Sequence, residues 1–271
     1  MSDNTGWIIM WGLSMLMFAA AKAAVALRDL SPAHGERFPS QPEIRLRSAR
    51  ITFTFLTLWP GFDLSAWHRA ATTAPSLLPR GLTNLLGGSA LVWLIAHHAS
   101  TPFVATWLCM TGFVVALHGG VFTLLTEFWR RRGHDVKPLM ECPVAATSVT
   151  EFWGKRWNLG FRDLAHTLIF KPLHRRFGKA IATGSVFLAS GLAHELVITV
   201  PAHGGYGGPT VYFLLQALGM AMERGCPFKR HGIVWRIRAW IFLVVPLPLL
   251  FPTVFVERVM QPFFTFIHAL P

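Results

Sequence analysis

His194 and Glu195 place two ionisable groups inside an otherwise apolar run, "FLASGLAHELVITV". At bilayer depth such groups cost roughly 3 kcal/mol or more, so they usually face the protein interior or a watery cavity. A neutral imidazole is a suitable general base near neutral pH, and the chemistry it could perform is removal of a proton from a bound acceptor. The alternative is a structural histidine, hydrogen-bonded across a helix interface beside small residues.

The residues around His194 indicate different roles for two faces of its helix. Ser190 and Gly191 precede it by four and three positions, so small side chains border the imidazole on its own face and would leave room for a substrate. Glu195 points about 100° away from His194. That direction favours a structural role for Glu195, in which it pairs a cation or orients a neighbour.

A second polar stretch, "TEFWGKRWNLGF", covers residues 150–161. Helical spacing predicts one aromatic face and basic residues that project elsewhere, namely Phe152, Trp153 and Trp157 against Lys155 and Arg156. Tryptophan prefers the water–lipid boundary, and long basic side chains keep their charged ends in water there. The sequence therefore predicts a boundary segment. That prediction leaves Asn158 unexplained.

The other histidines do not form a metal-binding pattern. Membrane di-iron enzymes need clustered HxxxH and HxxHH sets, and neither occurs in this sequence. The HHxxxDG pattern fails because Pro102 stands at the acidic position, and there is no GxSxG elbow. We expect no metal site, although a haem held between His118 and His194 stays open as an alternative.

The composition is that of a membrane protein. Of the 271 residues 52% are hydrophobic and only 14% are charged, whereas an ordinary soluble domain carries about 25% charged residues. The net charge of +12 comes from basic residues between apolar runs, where topology signals, anionic lipid contacts and phosphate sites occur. This distribution argues against nucleic acid as a partner.

Apolar runs predict an all-α, polytopic membrane helix bundle in one domain, 1–271. About six runs approach the length that spans a bilayer, at 6–27, 82–99, 102–124, 179–200, 208–222 and 238–256. The first is interpreted as a retained helix rather than a signal peptide. The shorter run at 51–62, which ends in Pro60-Gly61, and the mixed segment 144–178 are expected to be re-entrant or interfacial.

The basic loops support this arrangement. If 51–62 does not cross, Arg28 to Arg50, the triplet Arg130 to Arg132, the pair Arg175 and Arg176, and the loop 223–238 all fall on one side. The uncharged turns "HHASTP" and "PAHGGYGG" then fall on the other. Because Lys and Arg collect on the cytoplasmic side, the N-terminus is predicted to lie outside. The expected location is a bacterial cytoplasmic membrane or the endoplasmic reticulum.

"FWGKRWN" followed by "SGLAHEL" resembles the wax synthase branch of the membrane-bound O-acyltransferase superfamily. The firm resemblance covers about residues 120–200. The upstream "LTLWPGFD" is similar to a WPGMD-like segment of wax synthases, with Phe62 in place of Met. The resemblance implies that His194 is the catalytic residue and that Asn158, at the end of the motif, is its partner.

The same resemblance implies the reaction and its partners. An acyl group would pass from acyl-CoA, a co-substrate, to the hydroxyl of a long-chain or terpenoid-like alcohol in a lipid environment, with no cofactor. Substrate contacts are expected from the motif and from the neighbours of His194: Trp153, Lys155, Arg156, Trp157, Arg162, Ser190, Gly191 and Glu195. The basic members, with Arg175 and Arg176, would meet CoA phosphates, and the tryptophans have interfacial anchoring as their alternative role.

Two other classes of function stay open at this point. One is a non-enzymatic transporter or membrane assembly subunit. The other is a haem or metal redox protein, which a visible absorption spectrum with a Soret band would reveal.

Overall fold

A computed structural model describes residues 5–29, 52–71, 74–225 and 232–270. Every named element in these ranges is a helix, and the one β contact is an isolated bridge between Ala70 and His134. The predicted all-α class is therefore confirmed. Most of the first basic loop, from residue 30 to 51, and residues 226–231 of the last one lie outside the described residues.

Besides the 3-10 turn Pro143–Ala145, ten helical segments follow one another along the described chain. They are α1 (Gly6–Asp29), α2 (52–58), α3 (Ser65–His68), α4 (Leu78–Ala90), α5 (Pro102–Arg131), α6 (Val149–Glu151), α7 (Leu159–Ala202), α8 (Gly208–Arg224), α9 (Ile233–Leu250) and α10 (253–266). Several contain π-helical turns, among them Val115–Val121 in α5 and Glu195–Thr199 in α7. Another π turn, Phe152–Arg156, continues α6, and residues 149–156 are called the motif helix below.

Four described helices, α1, α5, α7 and α9, are long and apolar enough to cross a membrane. These helices are those of an integral membrane protein, but the predicted count of about six spans is not confirmed. Helix α8 has 17 residues, or about 26 Å at 1.5 Å per residue, slightly short of a bilayer core of about 30 Å. Helix α4 has 13 residues and is extended by a π turn and a 3-10 turn to His98.

Helix α7 is not one straight rod. Gly178 adopts φ 81° and ψ 176°, outside the helical region, and so divides the 44-residue stretch in two. A side chain would be strained at this positive φ, which glycine tolerates. The apolar part that follows, residues 179–202, agrees with the predicted span at 179–200.

The long helices alternate between two ends of the bundle. At one end the start of α1 meets the end of α7, because a Cβ on Gly6 would lie 3.1 Å from the Pro201 carbonyl oxygen. At the other end Phe62, after α2, contacts Phe161 in α7, with ring centroids 4.9 Å apart. Arg131 belongs to this second end, since Trp129, two residues earlier, packs in the same cluster as Phe62. That the basic loops share one side of the membrane stays a prediction.

The described part of the segment 52–62 contains only a short helix. Helix α2 has seven residues, or about 10 Å, a third of the bilayer core. Lys22 of α1 donates from Nζ to the carbonyl oxygens of Phe55, at 3.1 Å, and of Gly61. Its ammonium also lies 3.6 Å from the centroid of the Phe55 ring. A lysine buried in α1 therefore fixes the turn that follows α2.

Helices α4 and α5 pack with their backbones in contact. A Cβ on Gly88 would lie 2.5 Å from the Ala116 nitrogen and 2.6 Å from the Gly112 oxygen. Gly120 similarly faces the backbone of Leu85 at 2.8 Å. Small residues allow such close approach in membranes, where helix association relies on packing rather than on a hydrophobic driving force.

We predict that Gly88→Ala destabilises the protein by about 1–3 kcal/mol, because the new methyl group must push two backbones apart. Gly87→Ala is the matched control, since a Cβ there meets nothing within 4 Å. Thermal unfolding of both variants in detergent would measure the difference. Equal melting temperatures for the two variants would contradict the packing described for α4 and α5.

Candidate active site

Residues just before the motif helix define its start. Ser148 is the N-cap, and its Oγ accepts a hydrogen bond of 2.9 Å from the Glu151 amide. The Glu151 carboxylate reaches back to accept from the backbone and hydroxyl of Thr147, at 2.8 and 2.6 Å. This reciprocal pairing resembles a capping box, which satisfies amides that have no partner inside the helix.

Glu223, in the last turn of α8, caps the same helix from outside. Its buried carboxylate accepts from the amides of Val149 and Thr150, at 2.6 and 2.9 Å, and from the Thr150 hydroxyl at 2.6 Å. The partial positive charge at a helix N-terminus favours a carboxylate. The motif helix is therefore attached to α8 by charge-assisted hydrogen bonds.

Arg156 closes the other end of the motif helix. It donates to Glu151 Oε1 from Nε at 2.8 Å and from Nη2 at 2.5 Å. Its Nη1 donates to the carbonyl oxygens of Glu141 and Cys142, at 3.0 and 3.2 Å. The guanidinium predicted to meet CoA is thus occupied by contacts that hold the preceding loop.

The motif helix is π-helical, and this changes its aromatic face. Trp157 has an extended backbone after the π turn and stacks on Phe152, with centroids 5.3 Å apart and planes 16° apart. Trp153 instead points to Phe187 and Phe213, at 5.8 and 5.5 Å. The Phe152 ring also meets Trp153, with centroids 5.1 Å apart, so the three aromatic residues predicted to share a face lie in one cluster.

Trp153 is a packed residue rather than a free interfacial anchor. Its Nε1 donates to Gln216 Oε1 at 3.3 Å. Gln216 is fully buried in α8 and donates from Nε2 to the Phe242 carbonyl oxygen at 2.8 Å. A chain of hydrogen bonds therefore links the motif helix, α8 and α9.

Asn158 has a conformational role that the sequence did not reveal. Its φ of 42° and ψ of 58° lie in the left-handed region, which asparagine tolerates better than most residues. Its carbonyl oxygen accepts from the Arg162 amide at 3.1 Å, and its amide contacts Met140 Sδ at 3.3 Å. Its side-chain amide makes no hydrogen bond within the described chain.

His194 is held in one orientation. Its Nδ1 lies 2.7 Å from the Ser190 carbonyl oxygen, and because a carbonyl oxygen only accepts, Nδ1 must carry the hydrogen. In the neutral ring the lone pair is then on Nε2. The ring packs on Phe213 with centroids 4.5 Å apart, so Phe213 joins His194 to Trp153. No hydrogen bond connects His194 to Asn158 within the described chain.

The neighbours of His194 attach α7 to α8. Glu195 Oε1 accepts from the amide and hydroxyl of Thr210, at 3.1 and 2.9 Å, in the first turn of α8. A Cβ on Gly191 would lie 2.7 Å from the Thr210 Cα, so α8 takes the space beside Gly191. Ser190 Oγ donates to the Val186 carbonyl oxygen at 2.9 Å. Contact of these residues with a substrate stays a prediction.

The remaining predicted contacts lie at the surface. Lys155 is exposed, with no hydrogen-bond partner among the described residues. Arg162 donates from Nη1 to the Gly154 carbonyl oxygen at 2.7 Å and from Nε to Asp163 at 2.9 Å. No cluster of three or more His, Cys, Asp or Glu residues that could hold a metal occurs within the described ranges.

The upstream motif joins the same region. A Cβ on Gly160, two residues after Asn158, would lie 3.4 Å from the Phe62 ring and 3.5 Å from the Gly61 Cα. The "LTLWPGFD" segment, fixed by Lys22, therefore packs directly against the residues that follow the motif. Two stretches about 100 residues apart in sequence form one structural unit.

Comparison with known proteins finds a family model that matches this part of the chain. Residues 136–215 match the sequence model of the Membrane bound O-acyl transferase family, a range that contains the motif helix, Asn158 and His194. The resemblance predicted from the sequence is thereby confirmed at the level of the class.

Individual relatives define the branch. The chain is 27% identical to "Probable long-chain-alcohol O-fatty-acyltransferase 7" of Arabidopsis thaliana over 124 residues, 41% of this chain and 37% of that protein. It is 36% identical to the "Long-chain-alcohol O-fatty-acyltransferase" of Simmondsia chinensis over 72 residues, 24% and 20% of the two chains. "Acyl-CoA--sterol O-acyltransferase 1" of Arabidopsis thaliana is 30% identical over 70 residues, 23% and 20% of the two chains. The alignments span less than half of each relative, and the chain resembles the wax synthase-like branch.

We predict a pH-dependent contribution of Glu151 to stability. Burial would raise the pKa of Glu151, but hydrogen bonds from Thr147 and Arg156 outweigh it and hold the pKa at about 2. Because the folded pKa is depressed, the stabilisation is complete above the unfolded pKa, near 4.5, and is lost as the pH falls towards 2.

Glu151→Gln measures this contribution. The wild-type melting temperature in detergent should exceed that of the variant by a constant amount from pH 8 to about 5, and the gap should close towards pH 2. Glu141→Gln is the control, since Glu141 pairs with Arg80 at 3.2 Å but its side chain is 45% exposed. A gap that widens as the pH falls would contradict the assignment.

Proposed function

We propose that this protein is a membrane O-acyltransferase that moves an acyl group from acyl-CoA to the hydroxyl of an apolar alcohol. The observation that carries the proposal is the state of His194. Within an apolar span, the Ser190 carbonyl oxygen holds its Nδ1 and leaves Nε2 as a base beside the motif that the family model matches.

The reaction needs one base and one stabilised oxyanion. In the proposed mechanism Nε2 of His194 takes the proton of the alcohol hydroxyl as the oxygen attacks the thioester carbonyl carbon. The tetrahedral intermediate collapses, the carbon–sulfur bond breaks, and the CoA thiolate takes the proton back from the imidazolium. The products are an ester and free CoA, and no cofactor is consumed.

Asn158 is proposed as the partner of this base. Its side-chain amide has no hydrogen bond within the described chain, so it can donate to the developing oxyanion or position the alcohol. A single oxyanion donor contributes about 3 kcal/mol to transition-state stabilisation in other enzymes. The left-handed backbone conformation of Asn158 fixes the direction in which its side chain leaves the backbone.

The charged end of the bundle is the proposed entry side for CoA. Lys155, Arg175 and Arg176 are exposed there, and the phosphate groups of CoA need cations that are not already paired. Arg156 is less suited to this role, since Glu151 and two carbonyl oxygens occupy its guanidinium.

The acceptor is proposed to be a long-chain or terpenoid-like alcohol. Two of the relatives named above carry "long-chain-alcohol" in their names, and a third carries "sterol". An apolar acceptor would reach the half-buried His194 through the membrane, whereas the CoA portion of the donor stays in water.

A direct assay tests the proposal. Membranes that contain the protein would be incubated with acyl-CoA donors of different chain length and with long-chain, terpenoid and sterol alcohols, and new esters would be identified by mass spectrometry. Membranes without the protein are the control. Accumulation of an alcohol in sealed vesicles without any ester would favour transport and would overturn the proposal.

We predict that His194→Ala lowers ester formation by about 10²- to 10⁴-fold while the protein still inserts and accumulates, because the base is lost and the fold is not. Asn158→Ala should also be impaired, and the two losses should not add if the residues act as one unit. His203→Ala, in an exposed turn, is the control. Near-normal turnover of His194→Ala at matched protein levels would contradict the proposed mechanism.

A further inference from the structure

A second histidine lies deep in a span, in a place that the mechanism above does not use. His118 sits near the middle of α5, on the π turn Val115–Val121. π turns interrupt the regular backbone pattern and frequently occur at functional sites. Asn84 of α4 supports this turn, since its Nδ2 donates to the Gly119 carbonyl oxygen at 3.1 Å.

The two histidines within spans differ in the hydrogen bonds that their Nδ1 atoms make. His194 makes the 2.7 Å contact one turn back, to Ser190. His118 Nδ1 faces the Val114 carbonyl one turn back but is buried without a bond of normal geometry to any described residue. Thr123 Oγ1, in the next turn of α5, is also buried without a partner in the described chain.

Such unpaired groups require an explanation. A buried polar atom without a partner costs about 1–3 kcal/mol, so native proteins keep few of them. His118 Nδ1 and Thr123 Oγ1 lie within six residues of each other on one apolar helix. Two unpaired polar atoms this close together indicate a site that accepts a polar group from outside the chain.

The surroundings of His118 determine what kind of group fits. Its ring stacks on Trp157, with planes 19° apart and centroids 6.4 Å apart, and meets Phe122 at 5.1 Å. Trp157 directly precedes Asn158, so His118 borders the motif. A charged phosphate would be unfavourable in a site lined by aromatic rings inside a span. The single hydroxyl of an apolar molecule fits such a site better.

We propose that His118 binds the hydroxyl of the alcohol acceptor by a hydrogen bond, as a binding residue distinct from the base His194. This inference rests on the proposed acyltransferase function. The ligand class is an amphipathic alcohol with one hydroxyl and an apolar chain. Its hydroxyl bonds to the imidazole, and its chain lies among the aromatic residues of α5 and the motif.

The experiment compares His118→Phe, which keeps ring stacking but removes the nitrogens, with wild type. We expect the KM for the alcohol to rise about tenfold, the value of one good hydrogen bond, while the KM for acyl-CoA stays within about twofold. His118→Gln, which can still hydrogen-bond, should recover part of the affinity. His98→Phe, at an exposed helix end, is the matched control.

Three results would overturn the inference. One is an unchanged alcohol KM in His118→Phe. Another is a loss of kcat and of both substrate affinities in step with a lower melting temperature, as a merely structural histidine would give. The third is a Soret band in the purified wild-type protein that His118→Phe abolishes, since His118 would then be a haem ligand.

A binding measurement separates this inference from the proposed function. A long-chain alcohol should raise the melting temperature of the wild-type protein in detergent, and His118→Phe should lose most of that shift. If wild type forms no ester but shows the His118-dependent shift, the acyltransferase proposal fails and the alcohol site stands. If ester forms and the shift is equal in both proteins, the site at His118 is refuted.

Discussion

The buried carboxylate of Glu223 is the contact on which the geometry of the site depends. An unpaired carboxylate in the protein interior is very unfavourable, and this one is stabilised by two backbone amides and one hydroxyl of the motif helix. The motif helix in turn gains a partner for amides that its short length leaves unpaired. The contact therefore fixes the start of the motif relative to α8.

Helix α8 extends this constraint to His194. Four residues of α8 contact the site. Thr210 bonds to Glu195, and Phe213 packs on His194. Gln216 bonds to Trp153, and Glu223 bonds to the start of the motif helix. A helix rises 1.5 Å per residue, so the 13 steps from Thr210 to Glu223 span about 20 Å. One rigid helix thus sets the separation between His194 and the motif, although no direct hydrogen bond joins them in the described chain.

Much of this arrangement could be predicted from the sequence. His194 stands out because an ionisable residue in an apolar run has few structural explanations. The run ending in Pro60-Gly61 was predicted to be short, and the described helix there has seven residues. The span count was less predictable. Helix α8 is slightly short of a bilayer core, and α4 with its extension to His98 is not among the described helices that are long and apolar enough to cross. Both contain residues that serve packing, such as Gly88 and Gln216. Apolar character alone does not distinguish a helix that crosses from one that is covered by its neighbours.

Other features could not be predicted because their causes are not local. A π turn depends on backbone hydrogen bonds one residue out of α-helical register, and the 3.6-residue period contains no sign of it. Arg156 was interpreted as a phosphate ligand because its partners, the Glu141 and Cys142 carbonyl oxygens, follow from the fold and not from the motif. Lys22 likewise finds its carbonyl partners 33 and 39 residues away.

The contacts made on folding also divide the polar groups of the site by function. One set of charged groups hydrogen-bonds to the protein itself and holds helices in place: Glu151, Glu195, Arg156 and Glu223. The Asn158 side-chain amide, Nε2 of His194 and Nδ1 of His118 make no hydrogen bond of normal geometry within the described chain. A substrate can gain hydrogen bonds only from groups that the fold has not already used. The unpaired set therefore lies where the acyl acceptor is proposed to bind, around the aromatic residues that join α5, the motif helix and α8.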